Sequence, residues 1–418
     1  MKLVTFTISL FLLFFILVSC KNETKNGKLE ETKTETPTKI VSSLLNPTSG
    51  NSSYPRLFAT ESRLLMSWVQ EDSISRLYYS ILENGEWTKP YEVNSGNDWF
   101  ISWADFPTIA ENNGNILVNY LQNPVDAKDD YNIKINVYSA KTQTWKKDIL
   151  LHNDGTASEH GFMSVVPLHE SSFYVIWLDG RNTIAKGAGH GTSAGPAMSL
   201  RGRVVNADGT MKPSVELDNR VCDCCQTAVT PINGAPLLVY RDRSDNEIRD
   251  ISRIRLSDDS FSKPLTVFND NWKISGCPVS GPAIASFKNK AAVAWFTAVN
   301  NIPKVQLAFS SDGGETFGIP IQINNHETNG GVDVVMDSEN SAMVSWIEIV
   351  GDEAMIQIMR VSADGSKGFP VTISKSSLRS SNGNPQLEKV GDSLYAAWTQ
   401  TEGTKSSVMT ASVSIKDL

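Results

Sequence analysis

Histidine and cysteine are both scarce in this chain of 418 residues, with five of each. No second Cys-x-x-Cys and no regular histidine pair accompanies the cysteines, so the usual ligand spacing of a structural zinc domain is absent. Lysine and arginine form no block and the net charge is −8, which excludes nucleic acid as a partner. Beyond the first twenty residues no apolar run is long enough to cross a membrane, which takes about 20 residues.

What is present begins with "MKLVTFTISLFLLFFILVSC": one lysine, an apolar stretch, then Leu17-Val18-Ser19-Cys20. This is the pattern of a secretory signal. Its ending resembles a bacterial lipobox, which implies cleavage after residue 19 and lipid on Cys20. Residues 20 to 38 are almost without apolar side chains and read as a flexible tether, since they cannot bury a core. Residues 39 to 418 then form one domain. The expected location is the bacterial cell envelope, with the lipid as the membrane contact and the outer membrane as its setting.

Seven segments of that domain share one plan: a short apolar strand, a polar turn, and a second strand ending in an aromatic residue. The aromatics are Trp68, Tyr120, Trp177, Tyr240, Trp295, Trp346 and Trp398, spaced by 52, 57, 63, 55, 51 and 52 residues. Further alternating segments such as "VQLAFSSDGGETFGIPIQI" supply third and fourth strands. Four antiparallel strands per repeat is the signature of a propeller blade. The last repeat stops one strand short, and "KIVSSLL", residues 39 to 45, is spare. The expected fold is an all-β propeller of seven four-stranded blades (six being the alternative), closed by the N-terminal strand.

One turn carries a family resemblance. Ser310-Ser311-Asp312-Gly313-Gly314-Glu315-Thr316-Phe317 resembles the Asp-box (BNR) motif of the sialidase superfamily, with Phe317 in place of tryptophan. Ser310, Asp312, Gly314, Thr316 and Phe317 match the motif, and weaker echoes occur at Asp208-Gly209 and Asp364-Gly365. The resemblance implies a β-propeller that binds or cleaves an acidic carbohydrate or glycoprotein, with a ligand carboxylate met by three arginines. The family's first-blade Arg-Ile-Pro signature is missing, since "YPRLF" orders those residues differently, and no motif singles out a tyrosine nucleophile.

Loops on a propeller alternate between its two faces, and here the unusual residues gather on one. That face takes the loops between blades and the loops joining the second and third strands. It includes "DWFISWADFP", "GTASEHGF", "NRVCDCCQT", "NWKISGCPVSGP", "WLDGR" and "YRDRS". Functional loops on a rigid scaffold are the expected arrangement, and several candidates follow. Asp105 and Glu159 are the candidate catalytic carboxylates, although Asp105 could equally cap the turn before Phe106-Pro107. Arg181, Arg241 and Arg243, with Asp179 and Asp242, either clamp a substrate carboxylate or neutralise one another and brace the loops. Cys222, Cys224, Cys225 and Cys277 sit in corresponding loops of adjacent blades. A disulfide joining Cys277 to one of the other three is expected in an oxidising compartment, with no cofactor. A copper or zinc site using these sulfurs with His160 or His326 is the alternative, and redox chemistry the third. A non-enzymatic module that docks a protein or a metal is the alternative function.

Overall fold

The computed structural model describes residues 40–124, 130–183, 195–257, 260–376 and 383–418. Cys20 and the tether lie outside them. Among the described residues no helix is long and apolar enough to cross a membrane.

Seven antiparallel sheets follow one another along the chain. Blade 1 contains β2 (Ser52–Ala59), β3 (Leu64–Glu71) and β4 (Ser75–Glu83), with β5 (Glu86–Trp87) and β6 (Tyr91–Gly96) sharing the outer position. Blade 2 is β7 (Ile109–Asn112), β8 (Asn115–Gln122), β9 (Asn132–Ser139) and β10 (Thr144–Leu150). Blade 3 is β11 (His160–Pro167), β12 (Phe173–Asp179), β13 (Met198–Val205) and β14 (Val215–Val221). In blade 4, β15 (Ala228–Ile232), β16 (Ala235–Arg241) and β17 (Ile251–Ser257) are edged by β18 (Ser260–Phe261) and β19 (Leu265–Thr266). Blade 5 is β20 (Ala283–Phe287), β21 (Lys290–Thr297), β22 (Lys304–Ser310) and β23 (Ile321–Gln322). Blade 6 is β24 (Glu327–Ser338), β25 (Ser341–Val350), β26 (Glu353–Ser362) and β27 (Val371–Ser376). Blade 7 has β28 (Gln386–Val390), β29 (Ser393–Glu402) and β30 (Lys405–Ser414), and its fourth strand is β1 (Val41–Ser43). The count is seven, and the closure is the one expected.

The core is a ring of wedges. Side chains of each second strand, buried on both faces, fill the gaps to the neighbouring sheets. Trp346 packs with Val305, Leu307 and Val332 between blades 5 and 6, and Trp177 with Leu117, Ile133 and Val137 between blades 2 and 3. Every one of the seven repeat aromatics is buried, with Trp398 the least so at 6% exposed. Aromatic residues were the visible period because each blade needs one large wedge, and such a side chain contributes more burial than any other.

Three of the turns between third and fourth strands carry an aspartate cap. Asp312 Oδ1 accepts from the Thr316 N–H at 3.0 Å and its Oδ2 from the Thr316 hydroxyl at 2.5 Å, while Ser310 Oγ accepts from the Gly314 N–H at 2.9 Å. Gly314 has a φ of 82°, and a Cβ there would meet Leu237 of the preceding blade at 2.4 Å. Phe317 packs into the wedge between blades 4 and 5. Asp208 caps Thr210, and Asp364 caps Ser366, in the same way. These turns fasten the scaffold on the face opposite the cysteines.

Ring closure rests on a short pairing: Val41, Ser42 and Ser43 against Val413, Ser412 and Ala411. It is extended by Leu44 N–H to the Thr410 carbonyl at 3.0 Å and by the Thr410 hydroxyl to Asn46 Oδ1 at 2.8 Å. Val41 also packs on the wedge between blades 6 and 7. A chain starting at Asn46 loses this pairing and leaves β30 as a ten-residue open edge. Compared with a chain starting at Ile40, it should lose about 2–4 kcal/mol and self-associate. Thermal melting with size-exclusion chromatography checks this, and an unchanged melt of a monomer would remove closure as a source of stability.

Candidate functional site

The inner strands of all seven blades surround a channel of about 500 Å³. Three of them begin with bulges on the face of the inter-blade loops. These fall between Ser53 and Arg56, between Gly161 and Ser164, and between Gly330 and Asp333. Tyr54 and Phe162 take left-handed φ values of 54° and 55° there, rare for residues of this kind. Bulges of this sort re-aim side chains beside functional sites. Here they belong to the strands that bring Arg56 and Asp333 to the channel wall, where Glu388 and Gln386 join them. Arg56 donates to Gln386 Oε1. Asp333 accepts the N–H groups of Val334 and Leu387, both at 2.9 Å. Enclosure by protein, with the Asp333 charge added, pushes the Glu388 carboxyl up to about 8.

Asp105 lines the same channel and is 3% exposed. It accepts the Phe162 N–H at 2.8 Å and hydrogen-bonds Tyr131, and burial pushes its carboxyl up to about 7. Glu159 bears on both through its charge. Tyr131 stacks on Phe100 with ring centroids 4.3 Å apart. Gly161 makes the approach possible: a Cβ there would lie 1.9 Å from Asp105 Oδ2 and 2.6 Å from the Tyr131 ring. Asp105 thus holds the next blade's bulge through the Phe162 N–H. Tyr131 was missed in the sequence. It precedes β9 without a motif, and only the neighbouring blade's glycine marks its place.

The candidate arginines do not converge on open solvent. Arg181 is bidentate on Asp179, at 2.6 and 2.8 Å, and lies 3.6 Å from Asp154. Arg241 donates to the carbonyls of Ser280, Arg249 and Phe296 at 2.7 to 3.0 Å and sits over the Trp272 ring at 5.0 Å. Arg243 joins Asp223 and Glu247, both at 3.0 Å. Asp179 also accepts the Trp177 indole N–H, and Asp242 accepts the Ser252 hydroxyl and the Arg243 N–H. These are the partnerships of braces. His160 is likewise placed away from the sulfurs: its ring stacks on His152 at 3.5 Å, and its Nε2 lies 3.3 Å from Asp154. Burial and the neighbouring His160 hold the His152 ring down at about 4. His326 is exposed, with its N–H on Glu348.

The four cysteines do meet. Cys222, Cys224 and Cys277 place their sulfurs within 4.8 Å of one another, and Cys225 Sγ is 3.4 Å from Cys222 Sγ. All four are free thiols in the structure, which shows no bond from Cys277 to the other three. The loops approach as anticipated: three sulfurs gather as one group, and Cys225 meets it through Cys222. Hydrogen bonds from the other three thiols, Cys224 first, hold Cys222 well below the usual thiol range, with the Arg249 guanidinium helping. Burial pushes Cys225 up.

No protein-family model matches the chain, and no curated protein matches it. Among solved structures, a polysaccharide lyase (an ulvan lyase bound to -[GlcA(1-4)Rha3S]-) superposes with a TM-score of 0.57 at 10% identity, over 89% of this chain and 96% of that one. The polysaccharide lyase Uly1 gives 0.52 at 10% identity, over 87% and 90%. A Hadza microbial sialidase gives 0.50 at 13% identity, over 83% and 75%. At such identities the likeness is one of fold: this chain is a seven-bladed β-propeller, similar in fold to these proteins.

Proposed function

We propose that this is an exported, lipid-anchored carbohydrate-binding propeller whose acidic saccharide ligand enters the central channel from the face of the inter-blade loops. The observation that carries the reading is the channel wall itself, where Arg56, Asp105, Asp333 and Glu388 converge from four different blades. A polar, concave, preformed cavity with a few convergent groups is the usual form of a small-ligand site. Carbohydrate-processing proteins share the fold, and the saccharide bound to one of them contains a uronic acid. Binding is favoured over cleavage. A tyrosine nucleophile must be reachable and activated, whereas Tyr131 is 4% exposed, and burial with the charge of Asp105 drives its phenol well above the ordinary range. Export and anchoring rest on the N-terminal sequence; Cys20→Ser should leave the protein in the soluble fraction after a high-salt wash of membranes.

The channel's charge sets the expected pH dependence. Arg56 and Lys389 are the cationic side chains among the described residues that line it. Below about pH 6 the carboxyls of Asp105 and Glu388 are protonated; as pH rises through about 7 and about 8 both become anions. Affinity for a uronic-acid oligosaccharide found on a glycan array should therefore fall about tenfold or more between about pH 6 and about pH 9. A neutral analogue should show no such fall. Calorimetric titration at the two pH values tests this, and an acidic ligand that binds equally well at both would overturn the channel as its site.

Asp105 also makes stability depend on pH. Its pKa is about 7 folded against 3.8 unfolded, so the folded state holds the proton more tightly and stability falls as pH rises between these values. Asp105→Asn keeps an acceptor for the Phe162 N–H and removes the ionisation. It should be more stable than the parent at about pH 8, by about 2–4 kcal/mol. The gap should close as pH falls below the unfolded value. Denaturant melts at several pH values measure it.

A further inference from the structure

We propose that Cys222, Cys224 and Cys277, with Cys225 beside Cys222, form a thiolate site for one thiophilic metal ion of the zinc(II) or copper(I) class, joining the loops that open blades 4 and 5. The first support is that both loops are fixed independently of the sulfurs. The Cys222 N–H bonds the Arg241 carbonyl at 3.0 Å, and Asp223 pins the turn by accepting the Met198 N–H at 2.9 Å. Gly281, four residues beyond Cys277, donates to Gln226 Oε1 at 2.9 Å, and a Cβ on it would lie 2.1 Å from the Gln226 carbonyl oxygen. The cysteine loops are therefore set against each other by backbone contact, which is the preorganisation a metal site needs.

The second support is the spacing of the sulfurs. Zinc–sulfur bonds of about 2.3 Å in a tetrahedral set separate sulfurs by about 3.8 Å. Cys222, Cys224 and Cys277 lie within 4.8 Å of one another, close to that spacing, while Cys225 stands 3.4 Å from Cys222 outside the group. A disulfide needs about 2.05 Å for one pair and leaves two thiols unused. The burial is graded as well. Cys222 and Cys225 are buried, Cys224 is half-buried and Cys277 is exposed, so the group is dry on one side and open to an incoming ion on the other.

The third support is charge. Arg249 Nη1 donates to Cys222 Sγ at 3.2 Å. Around the sulfurs, the buried guanidinium groups of Arg241, Arg243 and Arg249 face the carboxylates of Asp223 and Glu247. Arg241 is bonded to backbone carbonyls and an indole face, with the charge of Asp270 also bearing on it. Three guanidinium groups beside the sulfurs favour an anionic, thiolate-rich centre there. The cluster of His152, Asp154 and His160 has one cation near it, Arg181, 3.6 Å from Asp154.

The test uses the full chain, purified without oxygen or added chelator, with metal content measured by elemental analysis. The chain is then stripped under reductant and titrated with zinc(II) alone or copper(I) alone against a chromophoric competitor. One equivalent of either metal, with Cys222, Cys224 and Cys277 protected from alkylation, is the expected result, and the metal retained on isolation identifies which ion it is. Cobalt(II) substitution should give thiolate charge-transfer absorption. Cys277→Ser, at an exposed position that folding tolerates, should lose stoichiometric binding. Arg249→Gln should weaken binding about 10- to 100-fold, as loss of an outer-shell hydrogen bond does. A reduced parent chain that binds well under one equivalent of both metals, or a disulfide among the four after anaerobic purification, would overturn the proposal whatever the variants do.

Discussion

Closure of the ring is the constraint on which the rest of this structure depends. Each blade buries its second-strand aromatic against the sheets beside it, so no blade holds a core of its own. Seven wedges must therefore close on themselves, and the last gap is crossed by three residues of β1 on β30. Closure also creates the channel. Seven inner strands cannot meet at a point, and the space left between them takes polar side chains because water reaches it. Arg56, Asp333 and Glu388 can stand there half-buried and mutually compensated, which the wedges between blades would not allow.

The periodic part of this arrangement was legible. A repeat of aromatics, a missing final strand and a spare initial one suffice to read seven blades, because each follows from a local need to fill a wedge or cover an edge. The Asp312 turn was legible for the same reason: its hydrogen bonds span four residues. The channel was not. Arg56, Asp333 and Glu388 are brought together by ring position alone, and the bulges that begin two of their strands show in the sequence as nothing more than ordinary glycines and prolines.

The loops lie between these extremes. Interleaved Asp and Arg in "WLDGR" and "YRDRS" left a clamp and a brace open, since spacing cannot say whether a guanidinium points to solvent or to its neighbour. Arg181 turned back onto Asp179, two residues away, while Arg243 reached Glu247 and also Asp223 in the preceding loop. For the cysteines the meeting of two loops was legible from equivalent positions in adjacent repeats. How the sulfurs bond does not follow from loop position, because thiol pairing depends on separations of tenths of an ångström.

The channel and the sulfurs are coupled through one side chain. Gln226, one residue past Cys225, donates to the Ala104 carbonyl at 2.5 Å and accepts the Gly281 N–H at 2.9 Å. It therefore ties the loop carrying Asp105 to both cysteine loops, and it lines the channel itself. A shift of either cysteine loop is therefore carried by Gln226 to the backbone beside Asp105 at the channel wall, through two short hydrogen bonds that a displaced loop would have to stretch.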